Sequence, residues 1–125
     1  RQAMKFFKLS EFDSPDAEGS GSMMDPGFLE LLDECRDFAG IPFVITSGFR
    51  TIEYNRSLIK RGISASKNSS HLLGLAADIR VRNSSERWII LDALLEVGIT
   101  RVGIGNNFIH CDIDSFKQNH VIWTY

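Results

Sequence analysis

The chain has 125 residues and a mass of 14.1 kDa, a size typical of one domain with a single hydrophobic core. Hydrophobic residues make up 43% of it and charged residues 24%, a balance that excludes disordered and collagen-like chains. Its net charge of -2 and pI near 5.9 lack the positive excess typical of proteins that bind nucleic acid. We therefore expect one globular domain that does not bind nucleic acid.

The first part of the chain predicts a packed N-terminal segment, a loop and a helix. Residues 6–12 carry enough apolar side chains to pack on a core, and residues 13–22 are polar and indicate an exposed loop. Asp25 followed by Pro26 is typical of a helix start, so we expect a helix over 26–39 that Gly40 ends. Its core face, at three-to-four spacing, is expected to consist of Phe28, Leu31, Leu32, Cys35 and Phe38.

The middle of the chain predicts two strands and two further helices. Aromatic and β-branched residues favour a strand over 43–47, and a helix over 51–60 follows. After a Ser-rich connection, residues 76–81 form the next strand candidate. Ser84 or Ser85 is expected to cap a third helix that ends at Gly98. The apolar side of that helix, assigned to the core, consists of Trp88, Ile89, Leu91, Leu94 and Leu95.

Two short strands complete the pattern, around 101–104 and 108–113. Residues 105–107, of sequence Gly-Asn-Asn, join them and tolerate the positive φ of a tight hairpin. The sequence contains no internal repeat. Helices interspersed among short strands predict a small α+β domain.

The two cysteines, Cys35 and Cys111, are too few for a disulfide scaffold and lack zinc-finger spacing, so we expect both to be reduced and buried. No apolar run approaches the ~18 residues that a membrane span needs, and the N-terminus lacks an export signal. We interpret residues 1–3 as a remnant before a natural start at Met4, and residues 4–125 as one domain. We expect a cytoplasmic monomer that does not contact membranes.

Alternation along the strands places the polar side chains on common faces. Along the last predicted strand and just beyond it, His110, Asp112 and Asp114 share one face, and Cys111 lies on the opposite, core face. In the strand over 76–81, Asp78 likewise faces away from the core residue Ile79. The chemistry-bearing side chains are therefore expected outside the core.

Two imidazoles and one carboxylate are a common ligand set for catalytic zinc, which polarises a carbonyl and lowers the pKa of bound water. His71, Asp78 and His110 offer that set, and Asp112 lies about 6–7 Å from His110 along a strand, close enough to act as the proton acceptor. On spacing alone, the alternative is that Asp78 and Asp112 are solvated carboxylates and His71 a loop residue. This spacing is less specific than a short motif such as HExxH, so both interpretations stay open.

Three motifs occur in order: SGFR at 47–50, SxHxxGxAxD at 69–78 and FIHCD at 108–112. Together they resemble the zinc D-Ala-D-Ala carboxypeptidase family, which includes vancomycin-resistance dipeptidases and phage endolysin peptidases and shares its fold with the hedgehog signalling domain. The likeness covers most of the chain, from the opening MKFFKLSEF to the closing VIWTY. It implies a small single α+β domain with a mainly antiparallel central sheet and helices packed on it.

The resemblance also implies roles for single residues. It makes His71, Asp78 and His110 the ligands of one Zn²⁺ per chain. It makes Arg50 the residue that binds a substrate carboxylate or stabilises the developing oxyanion, a role that suits a guanidinium. Positions that support the site are matched by Ser69 and Asn55, and small residues that let backbone and metal approach are matched by Gly74 and Ala76.

One position departs from the family pattern. Many members carry the catalytic Asp or Glu three residues before the last zinc histidine, and this chain has Asn107 there. An amide cannot serve as a base. Either Asp112 takes that role, or the chain binds zinc without efficient hydrolysis.

The function implied is a zinc metallopeptidase that hydrolyses a bond in peptidoglycan stem peptides, of the D-Ala-D-Ala carboxypeptidase or L-Ala-D-Glu endopeptidase type. A phage endolysin that accumulates in the cytoplasm and reaches the cell wall through a holin would fit a chain without an export signal. The alternative is a non-catalytic zinc-containing binding module, or a phage structural component, of the same fold.

Other candidates are weaker. His120 has no partner at ligand spacing and is interpreted as a surface or packing residue. Arg80 and Arg101 could line a cleft, although charged residues on strand faces are usually solvated. Trp123 and Tyr125 could flank the cleft or belong to a C-terminal strand packed on the sheet.

Overall fold

The computed structural model describes residues 4–63 and 65–125, so the interpretation of residues 1–3 lies outside the described residues. Its helices are α1 (Pro26–Ala39), α2 (Ile52–Lys60) and α3 (Ser84–Val97). Its strands are β1 (Ile45–Ser47), β2 (Ala76–Arg80), β3 (Arg101–Ile104), β4 (Phe108–Asp112) and β5 (Val121–Thr124). Short 3₁₀ helices cover Leu9–Phe12, Ser20–Met23 and Ser70–Leu73. The predicted elements are therefore present, most of them within two residues of the expected bounds.

The five strands form one sheet in the order β1-β2-β4-β3-β5. Every pair is antiparallel except β3 and β5, which run parallel. The register places Asp78 opposite His110 and Arg101 opposite Asp112. Helices α1 and α3 pack against each other and contribute to the core with one face of the sheet. The prediction of an α+β domain with a mainly antiparallel sheet is confirmed.

Helix α1 begins and ends as predicted. The Asp25 carboxylate accepts a hydrogen bond from the Phe28 amide at 3.0 Å, and Gly40 ends the helix with a φ of 70°. Helix α3 differs, because its N-cap is Asn83, whose side chain accepts from the Glu86 amide at 2.9 Å. The assignment of Ser84 or Ser85 as the cap was therefore wrong by one or two residues.

Some helical residues expected in the core are exposed. Phe38 is 56% exposed, because the buried face of α1 centres on Phe28, Leu29, Leu32 and Cys35, and at about 100° per residue Phe38 lies about 110° from that centre. Trp88 and Leu95 are 72% and 46% exposed. Both lie about 150–170° from the buried stripe of α3, formed by Ile90, Ala93 and Leu94.

Two loop expectations also change. Residues 13–22 are not wholly exposed, because the Asp13 carboxylate accepts hydrogen bonds from the amides of Gly19 and Gly21 at 3.0 and 2.7 Å, and Gly21 is buried. The β3–β4 turn closes through a bond from the Gly105 amide to the Phe108 carbonyl, and residues 105–107 do not use positive φ.

Cys35 and Cys111 are both buried and unpaired, which confirms the prediction. Burial raises the pKa of the Cys35 thiol to about 12 and raises that of Cys111 well above its ordinary value. Both thiols are therefore protonated, inert core groups. In the described part of the chain, no helix has the length and apolar character that crossing a bilayer requires.

Candidate metal centre

Three side chains that can bind a metal converge on the outer face of the sheet. Asp78 on β2 lies directly opposite His110 on β4, and His71 reaches them from the 3₁₀ helix over Ser70–Leu73. One potential ligand atom from each residue lies within 4.8 Å of the others, and all three residues are buried. The strand register and one short helix are thus sufficient to assemble the cluster.

The distances within the cluster are at or somewhat below those between the ligands of a zinc ion. Asp78 Oδ1 lies 3.3 Å from His71 Nε2 and 2.9 Å from His110 Nδ1. Ligands at about 2.0–2.1 Å from a tetrahedral zinc ion lie roughly 3.3–3.4 Å apart. Two imidazole nitrogens and one carboxylate oxygen also form a donor set that zinc prefers. The residues present therefore fit the metal that the sequence predicts.

A hydrogen bond on the side away from Asp78 fixes the orientation of the His71 ring. Its Nδ1 lies 2.8 Å from the carbonyl oxygen of Gly48, which accepts the Nδ1 proton and leaves Nε2 facing Asp78. A Cβ atom on Gly48 would lie 2.7 Å from the Cα of Phe12, so glycine permits this close packing. The Ser69 hydroxyl accepts a bond from the His71 amide at 3.2 Å, consistent with its predicted supporting place.

Asp112 holds the other ring. Its Oδ2 lies 2.7 Å from His110 Nε2, while its Oδ1 accepts bonds from Arg101 Nε at 2.7 Å and from the Asp114 amide at 3.0 Å. The side chain is 1% exposed. This carboxylate–histidine contact is the usual way in which a metal-binding imidazole is oriented. The contacts therefore give Asp112 an orienting place, while its role as the proton acceptor stays a prediction.

The site contains ionised carboxylates beside imidazoles. Burial alone raises the pKa of Asp78, but contacts with the two imidazoles, first among them the hydrogen bond from His110, outweigh it and hold that pKa well below its usual range. The pKa of Asp112 is also lowered, since bonds from His110 and the Asp114 amide outweigh burial. Burial lowers the pKa of His71, which favours the neutral, metal-binding form.

The pKa of His110 shifts in the opposite direction, upward. Burial lowers its pKa, but hydrogen bonds with Asp112 and Asp78 outweigh that effect and raise it. Both ring nitrogens lie against carboxylates, so the protonated ring can donate to each of them. A metal ion held at Nδ1 would take the place of a proton on that nitrogen.

Arg50 is fixed beside the cluster. Its Nη2 lies 3.4 Å from Asp78 Oδ2, and its Nη1 and Nε donate to Asn55 Oδ1 at 3.2 Å and to Ser47 Oγ at 2.9 Å. Asn55 in turn donates to the Ser66 carbonyl at 2.9 Å. The guanidinium is buried and therefore has one defined orientation. The structure thus brings the predicted residues Arg50 and Asn55 into the site.

The cleft around the cluster has further walls. Trp123 and Tyr125 both line it, and the Trp123 ring lies 5.4 Å from that of His110. Trp123 also lies on β5, which pairs with β3. The C-terminal segment therefore both flanks the cleft and forms a strand of the sheet. His120 is exposed, as expected, and so is Arg80.

Sequence reasoning missed part of the site. For Arg101 the sequence favoured a solvated side chain over one that lines a cleft, but it lines the cleft and is buried, because β3 pairs with β4 and sets it against Asp112. Lys117 and Ser70 also line the cleft, and Asp114 bonds to Ser70 at 2.7 Å. Only Asp114 carried a signal, since strand alternation placed it on the face of His110 and Asp112. Asn107, by contrast, is exposed in the β3–β4 turn.

Comparison with known families decides the relationship. The model of the peptidase M15 family matches residues 5–112, which is most of the chain. The chain belongs to the peptidase M15 family. This is the zinc D-Ala-D-Ala carboxypeptidase family, so the resemblance seen in the three motifs is confirmed. No curated protein sequence matches the chain significantly.

A solved structure shows the same fold. The L-Ala D-Glu endopeptidase ChiX of Serratia marcescens superposes with a TM-score of 0.57 over 74% of this M15 chain and 81% of its own chain. The two sequences are 19% identical over that match, so the likeness speaks for the architecture alone. It agrees with the five-stranded sheet and the helices described above.

Proposed function

We propose that this M15 protein is a zinc-dependent peptidase that hydrolyses a peptide bond in peptidoglycan stem peptides. The observation that carries the proposal is the cluster of His71, Asp78 and His110 in a cleft that also holds the fixed guanidinium of Arg50. Membership of a peptidase family and the likeness to a structure named as an L-Ala D-Glu endopeptidase support it. The bond cut is either that of a terminal D-Ala or the one between L-Ala and D-Glu.

His71 Nε2, Asp78 Oδ1 and His110 Nδ1 would hold one Zn²⁺ per chain. When bound, the ion would supply Lewis-acid activation of the scissile carbonyl and of a water molecule. The chain's own contribution is to keep these donors in place before the metal arrives. Gly48 does this for His71 and Asp112 does it for His110.

Arg50 is proposed to bind the anionic group of the substrate. A guanidinium has five N–H donors, and the bonds to Ser47, Asn55 and Asp78 use one on each nitrogen. One N–H on each terminal nitrogen is left for a substrate carboxylate or for the oxyanion that forms during attack. Replacing Arg50 by Lys would keep the charge but lose this two-pronged geometry.

We propose that Asp112 supports turnover mainly by orienting His110. Its oxygens accept bonds from His110, Arg101 and the Asp114 amide, and it has almost no exposed surface. As a proton acceptor it would have to exchange one of these bonds for the attacking water. The two roles predict different effects of Asp112→Asn on zinc affinity, which makes them separable.

The proposed activity is tested by digesting purified muropeptides with zinc-loaded protein and weighing the products by mass spectrometry. Release of D-Ala would assign carboxypeptidase activity, and cleavage after L-Ala would assign endopeptidase activity. The Arg50→Lys variant should lose most of the activity, and Lys60→Met at the exposed end of α2 should keep it. Zinc-loaded protein that releases no product from any stem peptide would refute the proposal.

A second candidate is a zinc-containing binding module without turnover. It is favoured by Asn107, since an exposed amide in the β3–β4 turn cannot accept the proton that an acidic residue there would take. This module would bind zinc and stem peptides and release nothing. Action as a phage endolysin released through a holin belongs to the peptidase proposal, and a role as a phage structural component belongs to this alternative; the neighbouring genes test both.

A further inference from the structure

Lys117 lies where the cleft of the metal centre meets a second groove. Lys117 and Ser69 line both spaces, so the two adjoin at these side chains. The second groove is otherwise lined by apolar side chains and a few polar ones: Leu72, Leu73, Phe116, Lys67, Asn68 and Asp114. A substrate that extends beyond the metal centre in this direction would pass the Lys117 ammonium.

The ammonium has a defined position. Lys117 Nζ donates to the Asn68 carbonyl at 2.7 Å and to the Ser70 hydroxyl at 3.0 Å, and Ser70 donates to Asp114 Oδ2 at 2.7 Å. Asp114 Oδ2 lies 3.7 Å from Nζ and forms a salt bridge with it. An ammonium has three N–H donors, so one remains after the bonds to Asn68 and Ser70. The side chain is 32% exposed, so a ligand can reach it.

Large apolar side chains lie exposed next to this cation. Phe116 is 91% exposed and Leu73 is 53% exposed, and both line the second groove. A ligand that covers them removes apolar surface from water, which favours binding. The groove therefore combines an apolar surface with an anchored ammonium at its entrance, beside Asp114, and with Lys67 further along its lining.

We infer that Lys117 recognises a free carboxylate on the substrate and that the second groove holds the part of the peptide that follows it. The inference rests on the proposed function. A glutamyl residue in a stem peptide uses one of its two carboxyl groups in the peptide chain, and the other remains free. That carboxylate complements the ammonium, and an amidated glutamyl residue would lack the charge. Lys117 is thus a specificity residue for unamidated stem peptides.

The test uses two synthetic stem peptides that differ only in a carboxylate or a carboxamide on the glutamyl residue. Zinc-loaded wild-type protein should cleave the carboxylate form with a kcat/KM about tenfold or more higher, as a charge-assisted hydrogen bond implies. Lys117→Met should remove this preference by slowing cleavage of the carboxylate peptide alone. Lys117→Arg should keep much of the preference, and Lys60→Met should behave as wild type.

The ratio between the two peptides separates recognition from a structural effect of Lys117. A loosened loop around Asn68 would slow cleavage of both peptides equally and leave the ratio unchanged. A ratio near one in the wild type, or the same ratio in Lys117→Met, overturns the inference while the proposed function stands. Uncleavable analogues of both peptides, titrated into the zinc-loaded proteins, give the same ratio as dissociation constants and decide the inference even where no peptide is cut.

Discussion

The carboxylate of Asp112 accepts bonds from His110 Nε2, from Arg101 Nε and from the Asp114 amide, and no solvent replaces them, because the side chain is 1% exposed. The substitution Asp112→Asn exchanges one acceptor oxygen for an NH₂ group at nearly constant volume. It therefore tests what the acceptor oxygens do.

Asparagine can enter this position in two orientations, and each has a cost. With its NH₂ group toward His110, Nε2 must accept, so the neutral ring carries its proton on Nδ1, the nitrogen that faces Asp78 and would bind the metal. With its oxygen toward His110, the NH₂ group meets the N–H donors of Arg101 and Asp114. Buried donors without an acceptor cost about 1–3 kcal/mol.

We therefore expect Asp112→Asn to weaken zinc binding by about 10–100-fold, the usual effect of losing the partner that orients a metal-binding histidine. This corresponds to about 1.4–2.8 kcal/mol. Competition with a chromogenic chelator measures the zinc dissociation constant, and activity at saturating zinc is measured in parallel. Asp37→Asn, on the exposed surface of α1, is the matched control and should keep wild-type affinity.

An unchanged zinc affinity in Asp112→Asn would refute this reasoning. If activity at saturating zinc is then lost, Asp112 acts directly as the proton acceptor. If affinity falls and activity returns at saturating zinc, the orienting role accounts for the whole effect.

Three further predictions concern the fold. Leu32→Ala should lower the free energy of unfolding by about 2–5 kcal/mol in urea titrations, because Leu32 is fully buried. Phe38→Ala should change it by less than about 0.5 kcal/mol, because Phe38 is exposed. Equal losses in the two variants would contradict the orientation of α1. Gly74→Ala should destabilise the protein by about 1–3 kcal/mol or more, since Gly74 has a φ of 71° and a Cβ would collide with the Met23 carbonyl. An unchanged melting temperature would contradict this close approach of Gly74 to Met23. Because burial raises the pKa of Cys35 to about 12, its thiol should resist a thiol reagent at pH 8 and react at once in guanidinium, and rapid labelling of folded protein would contradict its burial.

Local signals made much of the fold and the metal ligands predictable. The Asp25-Pro26 start and Gly40 end of α1 are local capping chemistry, and the sequence shows them directly. Strand alternation needs no knowledge of neighbouring strands, so it placed Asp78 and His110 outside the core. Their convergence with His71 came from the family motif, since spacing alone had left a solvated alternative open.

Features that depend on packing between elements were not predictable. Arg101 is buried because the β3–β4 register sets it against Asp112, and one sequence does not reveal which residues face each other across strands. The run from Trp88 to Leu91 surrounds most of α3 with apolar side chains, so periodicity could not select the buried face. The second groove at Lys117 likewise requires residues from two distant segments.

The central claim is that His71, together with Asp78 and His110, holds a zinc ion. Elemental analysis of protein purified without added zinc tests it most directly, with His120→Asn as the control for His71→Asn, because His120 is exposed and lies outside the cluster. Asparagine also tolerates the φ of 57° at position 120. We predict about one zinc per chain in the wild type and in His120→Asn, and little or none in His71→Asn. No zinc in the wild type, or equal zinc in a folded His71→Asn variant, would contradict the account.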